Sequence, residues 1–127
     1  MRSEYFHTRF RTEITFDGWP ERFAIITAYA TTGEVWTDEE NQNADERLRE
    51  VLIAIDLDAR RITGYSPTTG HAEPGWAVSM ELDAAKQIGQ KFHQDAIYFI
   101  ENGQLQVVNC AGTNEPLFVD EFLNRLD

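Results

Sequence analysis

Apolar and polar residues alternate, or recur at helical spacing, along most of the chain. Phe10, Thr12, Ile14 and Phe16 alternate with Arg9, Arg11, Glu13 and Thr15, which predicts a half-exposed strand. Asp17-Gly18-Trp19-Pro20 reads as a turn. From Phe23 to Tyr29 the run is apolar except for Thr27, as in a strand covered on both faces. Thr31-Thr32-Gly33 is loop. Thr37 and Glu40 then form the spacing of a capping box, opening a helix that should run to about Asp56. Ala44, Leu48, Val51, Leu52 and Ile55 make its apolar stripe, and Asp45 and Arg49 are placed as an ion pair on its flank. At roughly 100° per residue, Asn41 falls in line with Leu48 and should face inward, while Asn43 should be solvated.

A short strand is predicted near Arg61–Ser66, then a loop at Pro67-Thr68-Thr69-Gly70-His71, then a strand through Trp76, Val78 and Met80. Asp83 is the expected cap of a second helix carrying Ala85, Ile88, Gly89 and Phe92 on one face. Ala96–Ile100 and Leu105–Cys110 are strands joined at Asn102-Gly103, a two-residue hairpin signal. Asn114-Glu115-Pro116 breaks the chain before a last short helix over Phe118–Leu126. The order β-β-α-β-β-α-β-β-α predicts an α+β fold over residues 1–127 as one domain. Its mostly antiparallel sheet should have about five to six strands, with two main helices on one face and a short C-terminal helix.

With 42% hydrophobic residues the chain can fill a core, so disorder is excluded. No apolar run approaches the roughly 20 residues of a membrane helix. The stretch MRSEYFHTRFRTE lacks the apolar centre of a secretory signal, and Cys110 has no partner for an internal disulfide; both point to a cytoplasmic protein. Asp and Glu number 22 against 11 Lys and Arg, a net charge of −11. Such a surface repels phosphate backbones, which speaks against nucleic-acid binding, and attracts basic proteins.

His71-Ala72-Glu73 has the H-x-E spacing of zinc deaminases, but the P-C-x-x-C pair that would complete that site is missing. A metal site on His71, Glu73 and His93 has no helical H-x-x-x-H to support it, so no metal and no cofactor are expected. There is no G-x-S-x-G and no phosphate-binding glycine loop, and Cys110 reads as a core residue rather than a nucleophile. What stands out instead is polar residues in apolar places: Thr27 in the most apolar strand, Asn41 on a buried stripe, Glu73 just before a strand and Gln94 just after a helix. A buried polar group without a partner costs roughly 1–3 kcal/mol, so each must be satisfied. They either tie loops to helix ends or line a polar pocket near a helix N-terminus, where an anion can bind.

Thr27-Ala28-Tyr29, Thr37-Asp38-Glu39-Glu40-Asn41 with Leu48, Glu73, and Phe92-His93-Gln94-Asp95-Ala96 follow one another in order. In that order and spacing the chain resembles a bacterial family, domain of unknown function 3293. That family is marked by T-A-W-N-P, by S-x-x-E-N with a leucine seven residues on, by E-x-S and by F-G-Q-x-A. The resemblance spans roughly Phe23 to Ile100 and singles out the same four residues, Thr27, Asn41, Glu73 and Gln94. It implies no activity. The family's N-P is Ala30-Thr31 here, and the serine of E-x-S is Gly75.

Two functions fit these readings. One is a pocket for a small polar or anionic ligand, with Thr27, Tyr29, Asn41, Glu73 and Gln94 as its residues and Glu73 as the one acid/base candidate. The other is an acidic protein–protein module of inhibitor, immunity or nucleic-acid-mimic type, in which the same cluster is scaffolding. No reaction is named by any motif.

Overall fold

The computed structural model describes residues 2–30, 35–112 and 115–127. After a 3-10 turn at Ser3–Phe6, the elements are β1 (Arg9–Arg11), β2 (Arg22–Thr27), α1 (Asp38–Ile55), β3 (Arg60–Tyr65), β4 (Ala72–Val78), α2 (Leu82–Lys91), β5 (Ala96–Glu101), β6 (Gln104–Asn109), β7 (Leu117–Glu121) and α3 (Phe122–Arg125). The strands form one antiparallel sheet in the order β1-β3-β4-β2-β5-β6-β7. The fold is thus α+β, with seven strands among the described residues rather than five to six.

β2 lies between β4 and β5 and is covered on both faces. Ala24 and Ile26 join a cluster with Leu48 and Leu52 of α1 and Ala85 and Ile88 of α2. Phe23 and Ile25 point the other way, into Phe10, Ile62, Ile100, Leu105 and Phe122. Asn102 and Gly103 both have positive φ, 53° and 79°, and join β5 to β6 as the two-residue turn the sequence predicts. Cys110 is buried, and an added Cβ on Gly89 would lie 2.4 Å from its Sγ, so the glycine lets α2 close on it. Burial pushes the Cys110 thiol up to about 11, which keeps it protonated at neutral pH and fits a core residue.

The structure corrects several local expectations. Only Arg9–Arg11 of the Phe10–Phe16 alternation is strand, paired with Thr63–Tyr65; beyond Arg11 no strand stands opposite. The segment expected as a helix over Phe118–Leu126 is split: residues 118–121 belong to β7, because Leu117 and Phe118 pair with Val107 and Gln106 of β6, and Phe122–Arg125 are helical as expected. α2 starts after Glu81, with no side-chain cap, and Asp83 sits in its first turn, where a carboxylate meets the helix dipole. Asp45 does not pair with Arg49, which bonds Glu46 instead. It is buried at 8% exposure and takes a two-pronged bond from Arg61 of β3, at 2.8 and 2.9 Å, plus the indole N–H of Trp76 at 3.1 Å. Glu73 lies within β4, not before it. The predicted loop Thr31-Thr32-Gly33 and Asn114 of the predicted chain break fall outside the described residues. No described helix is long and apolar enough to cross a membrane.

The first and last segments meet. Phe10 and Leu126 form an isolated parallel bridge, and the Asp127 amide donates to the Phe10 carbonyl at 2.8 Å. Arg125 donates to the carbonyls of Phe6 and Thr8 at 2.9 and 3.2 Å.

Candidate functional site

The site forms where β2 ends. The capping box opens α1 as predicted: the Thr37 hydroxyl accepts from the Glu40 amide and the Glu40 carboxylate from the Thr37 amide, both at 3.1 Å. This sets the helix phase, and Asn41 in the first turn is then half-buried while Asn43 is exposed. Asn41 Oδ1 accepts the Ala30 amide at 2.9 Å, so it pins the loop that leaves Tyr29.

Gln94 reaches the same strand end from the other side. α2 closes with the Gln94 amide donating back to the Gly89 carbonyl at 2.9 Å, a Schellman-type turn. His93 occupies the left-handed position at φ 60°, where the resembling family has the glycine of F-G-Q. The turn aims the Gln94 side chain at β2. Its amide nitrogen donates to the Tyr29 carbonyl at 2.9 Å, and its oxygen accepts the Thr27 hydroxyl at 3.1 Å.

Thr27 continues the alternation of Phe23 and Ile25, so it faces away from the cluster that holds the α1 and α2 residues. On that side lies a pocket of about 340 Å³ whose lining includes Thr27, Glu73, Gln94 and Ala30. Its other walls come from Tyr65 and His71 around the β3–β4 connection, Tyr98 of β5, and Tyr5 and Thr8 of the N-terminal segment. Tyr98 Oη donates to the Tyr5 carbonyl at 2.7 Å and lies 2.9 Å from the Thr8 hydroxyl, which seats that segment over the sheet. Three of the five residues singled out from sequence thus share one pocket. Asn41 and Tyr29 are not in its lining; they act one layer back, on the loop that carries Ala30.

Glu73 is unlike the rest. Burial pushes its carboxyl above the usual carboxylate range; His71 and its hydrogen bond pull the other way, and Glu4 adds a smaller upward push. Its ion-pair partner among the described residues is the exposed His71, Nε2 to Oε2 at 3.4 Å. A half-buried carboxylate in a cavity, displaced upward by burial, can accept hydrogen bonds from a ligand and holds its proton more tightly than an exposed carboxylate does. Gly75, two residues on, stands opposite Thr27, and a Cβ there would lie 2.6 Å from the Ile26 carbonyl oxygen. The serine of the family's E-x-S has no room at this backbone spacing. No group of three metal-ligating side chains occurs among the described residues.

The sequence did not single out Tyr5, Thr8, Tyr65 or Tyr98. Tyr65 and Tyr98 carry a weak signal, as polar-tipped aromatics within strands; Tyr5 and Thr8 carry none, since their role depends on contacts some 90 residues away along the chain.

Three substitutions test this wiring. Asn41→Ala should lower stability by about 1–3 kcal/mol, since it strands the Ala30 amide, while Asn43→Ala should stay within about 0.5 kcal/mol; denaturant melts compare them. His93→Gly should raise stability by about 1 kcal/mol, because glycine takes positive φ without the Cβ clash. Glu73→Gln should be more stable than the parent at neutral pH. The folded carboxyl sits above the model value of 4.5, so Glu73 favours folding fully below that value and the benefit is lost as pH rises through the folded pKa. The stability gap between variant and parent should therefore close as melts are taken from pH 7 to pH 4.

Comparison with known proteins identifies the family. No curated protein and no solved structure matches the chain. The family described as "Protein of unknown function (DUF3293)" matches residues 26–97, from the end of β2 to the start of β5. That span holds Thr27, Asn41, Glu73 and Gln94 and leaves out β1 and the N-terminal turn. It covers more than half of the chain, and the protein belongs to the DUF3293 family.

Proposed function

We propose that the protein binds a small polar ligand in the pocket lined by Thr27, Glu73 and Gln94, with Glu73 as its polar anchor. The observation that carries this is the asymmetry among the family-marking residues. Thr37 and Glu40 cap a helix, Asn41 pins a loop, and Gln94 joins a helix end to a strand end, so structure accounts for each. Glu73 joins no such link; it faces a cavity with an exposed histidine as its ion-pair partner. Structural economy would replace a half-buried carboxylate of that kind with a neutral side chain, and a ligand gives a reason to keep it. A volume of about 340 Å³ falls within the range of small-molecule sites. The α1 N-terminus contributes nothing to the lining and carries Asp38, Glu39 and Glu40 in its first turn, so it offers no help to an anion.

A second reading, an acidic protein–protein module, draws on Leu117, Phe118 and Leu123, exposed at 44%, 57% and 68% on the edge strand β7 and on α3. A fragment screen read by amide chemical shifts separates the two. Hits should move the amides of Thr27, Glu73, Gln94 and Tyr98 and weaken in Glu73→Gln. Hits confined to β7 and α3 would reject the pocket in favour of the interaction surface.

A further inference from the structure

The chemistry of the pocket wall narrows the ligand class, and this step rests on the reading of the pocket as a binding site. We infer that its ligand is a small organic ammonium ion, held by the Glu73 carboxylate against a wall of aromatic rings. Among the described residues, two carboxylates, Glu4 and Glu73, enter the lining, and neither lysine nor arginine does. The one basic residue there, His71, is already committed to Glu73. Glu4 is paired outside the lining with Arg2 at 3.1 Å, and among the described residues Glu73 has only the exposed His71 at 3.4 Å, so an anion would meet the Glu73 charge with a weak offset, while a cation would give Glu73 a second partner on its cavity side.

The apolar part of the wall fits the same class. Tyr5, Phe10, Tyr65 and Tyr98 all contribute. Phe10 and Tyr5 meet Tyr98 edge-to-face, with centroids 5.2 and 6.3 Å apart, so the rings brace one another. Tyr98 Oη is satisfied by the Tyr5 carbonyl, so this wall presents ring rather than an unmet hydroxyl. Aromatic faces attract desolvated cations, and the chain uses that attraction at the pocket margin, where the Arg11 guanidinium lies 4.9 Å from the Tyr65 centroid. The net charge of −11 draws cations toward the whole molecule. A neutral polar ligand would use Thr27 and Gln94 equally well but would draw nothing from the charge of Glu73 or from the ring faces.

Three probes of matched shape and different charge test the inference: 2-phenylethylammonium, 2-phenylethanol and 3-phenylpropanoate, titrated into the full chain at neutral pH and followed by amide shifts. The ammonium probe should bind about tenfold or more tightly than the alcohol, and the carboxylate least, with shifts centred on Thr27, Glu73, Gln94 and Tyr98. Glu73→Gln, checked for folding by melting, should weaken the ammonium probe about tenfold. Glu50→Gln, which removes the same charge from an exposed face of α1, should leave it unchanged. If the alcohol or the carboxylate binds as tightly as the ammonium, the cation class is wrong while the pocket stands. If Glu73→Gln and Glu50→Gln weaken the ammonium probe equally, attraction by net charge replaces Glu73 as the cause and the inference fails. If no probe moves a pocket amide, both the inference and the binding reading fall.

Discussion

The backbone that leaves β2 has to be satisfied without a neighbouring strand, and much of the site follows from that requirement. β2 is central and covered on both faces, so the groups just beyond Thr27 lose the sheet ladder before they reach open water. Asn41 takes the Ala30 amide and Gln94 takes the Tyr29 carbonyl. Each of these side chains is itself positioned by a helix end: Asn41 by the Thr37–Glu40 capping box, Gln94 by the turn that closes α2. Two helices are thereby registered against one strand end, and Thr27 and Ala30 are delivered to the pocket rim as a by-product.

The family-marking residues therefore divide into wiring and one unexplained carboxylate. Conformational demands explain a serine or threonine before α1, an asparagine in its first turn and a glutamine after α2. They do not explain Glu73. The tight approach of β4 to β2 at Gly75 adds a constraint of its own, because a side chain there would press on the Ile26 carbonyl and on Thr27. Glycine at position 75 thus lets β4 lie close against β2, and alanine at position 30 leaves a small side chain in the pocket lining.

Features with local causes were legible in the sequence. The Asn102-Gly103 turn needs only two residues able to take positive φ, the capping box needs only a three-residue spacing, and the inward phase of Asn41 follows from its seven-residue offset to Leu48. Features set by pairing were not. Asp45 lies close to the apolar stripe in helical phase, but its burial is permitted by Arg61 and Trp76, which arrive through the registers of β3 and β4. The alternation over Phe10–Phe16 is genuine, yet a strand exists only as far as a neighbour extends, and β3 pairs with three residues of it. Phe118 shows the converse: a pattern read as helix becomes strand because β6 offers an edge. Thr27, Glu73 and Gln94 could be suspected because each was polar in an apolar setting. The rest of the pocket wall could not, since Tyr5 and Thr8 are ordinary residues until the sheet brings Tyr98 beneath them.

That last contact has a kinetic consequence. The part of the wall built from Tyr5 and Thr8 belongs to a segment whose 3-10 turn contains no buried residue, and it is fastened to Tyr98 and to Arg125 across nearly the whole length of the chain. A segment with no buried residue, held by a few hydrogen bonds, opens at lower cost than the core strands beneath it. The floor of the pocket is thus as durable as the sheet, while its roof can detach as a unit with the core intact. Amides of residues 2–8 should therefore exchange with solvent sooner than those of β2, β4 and β5.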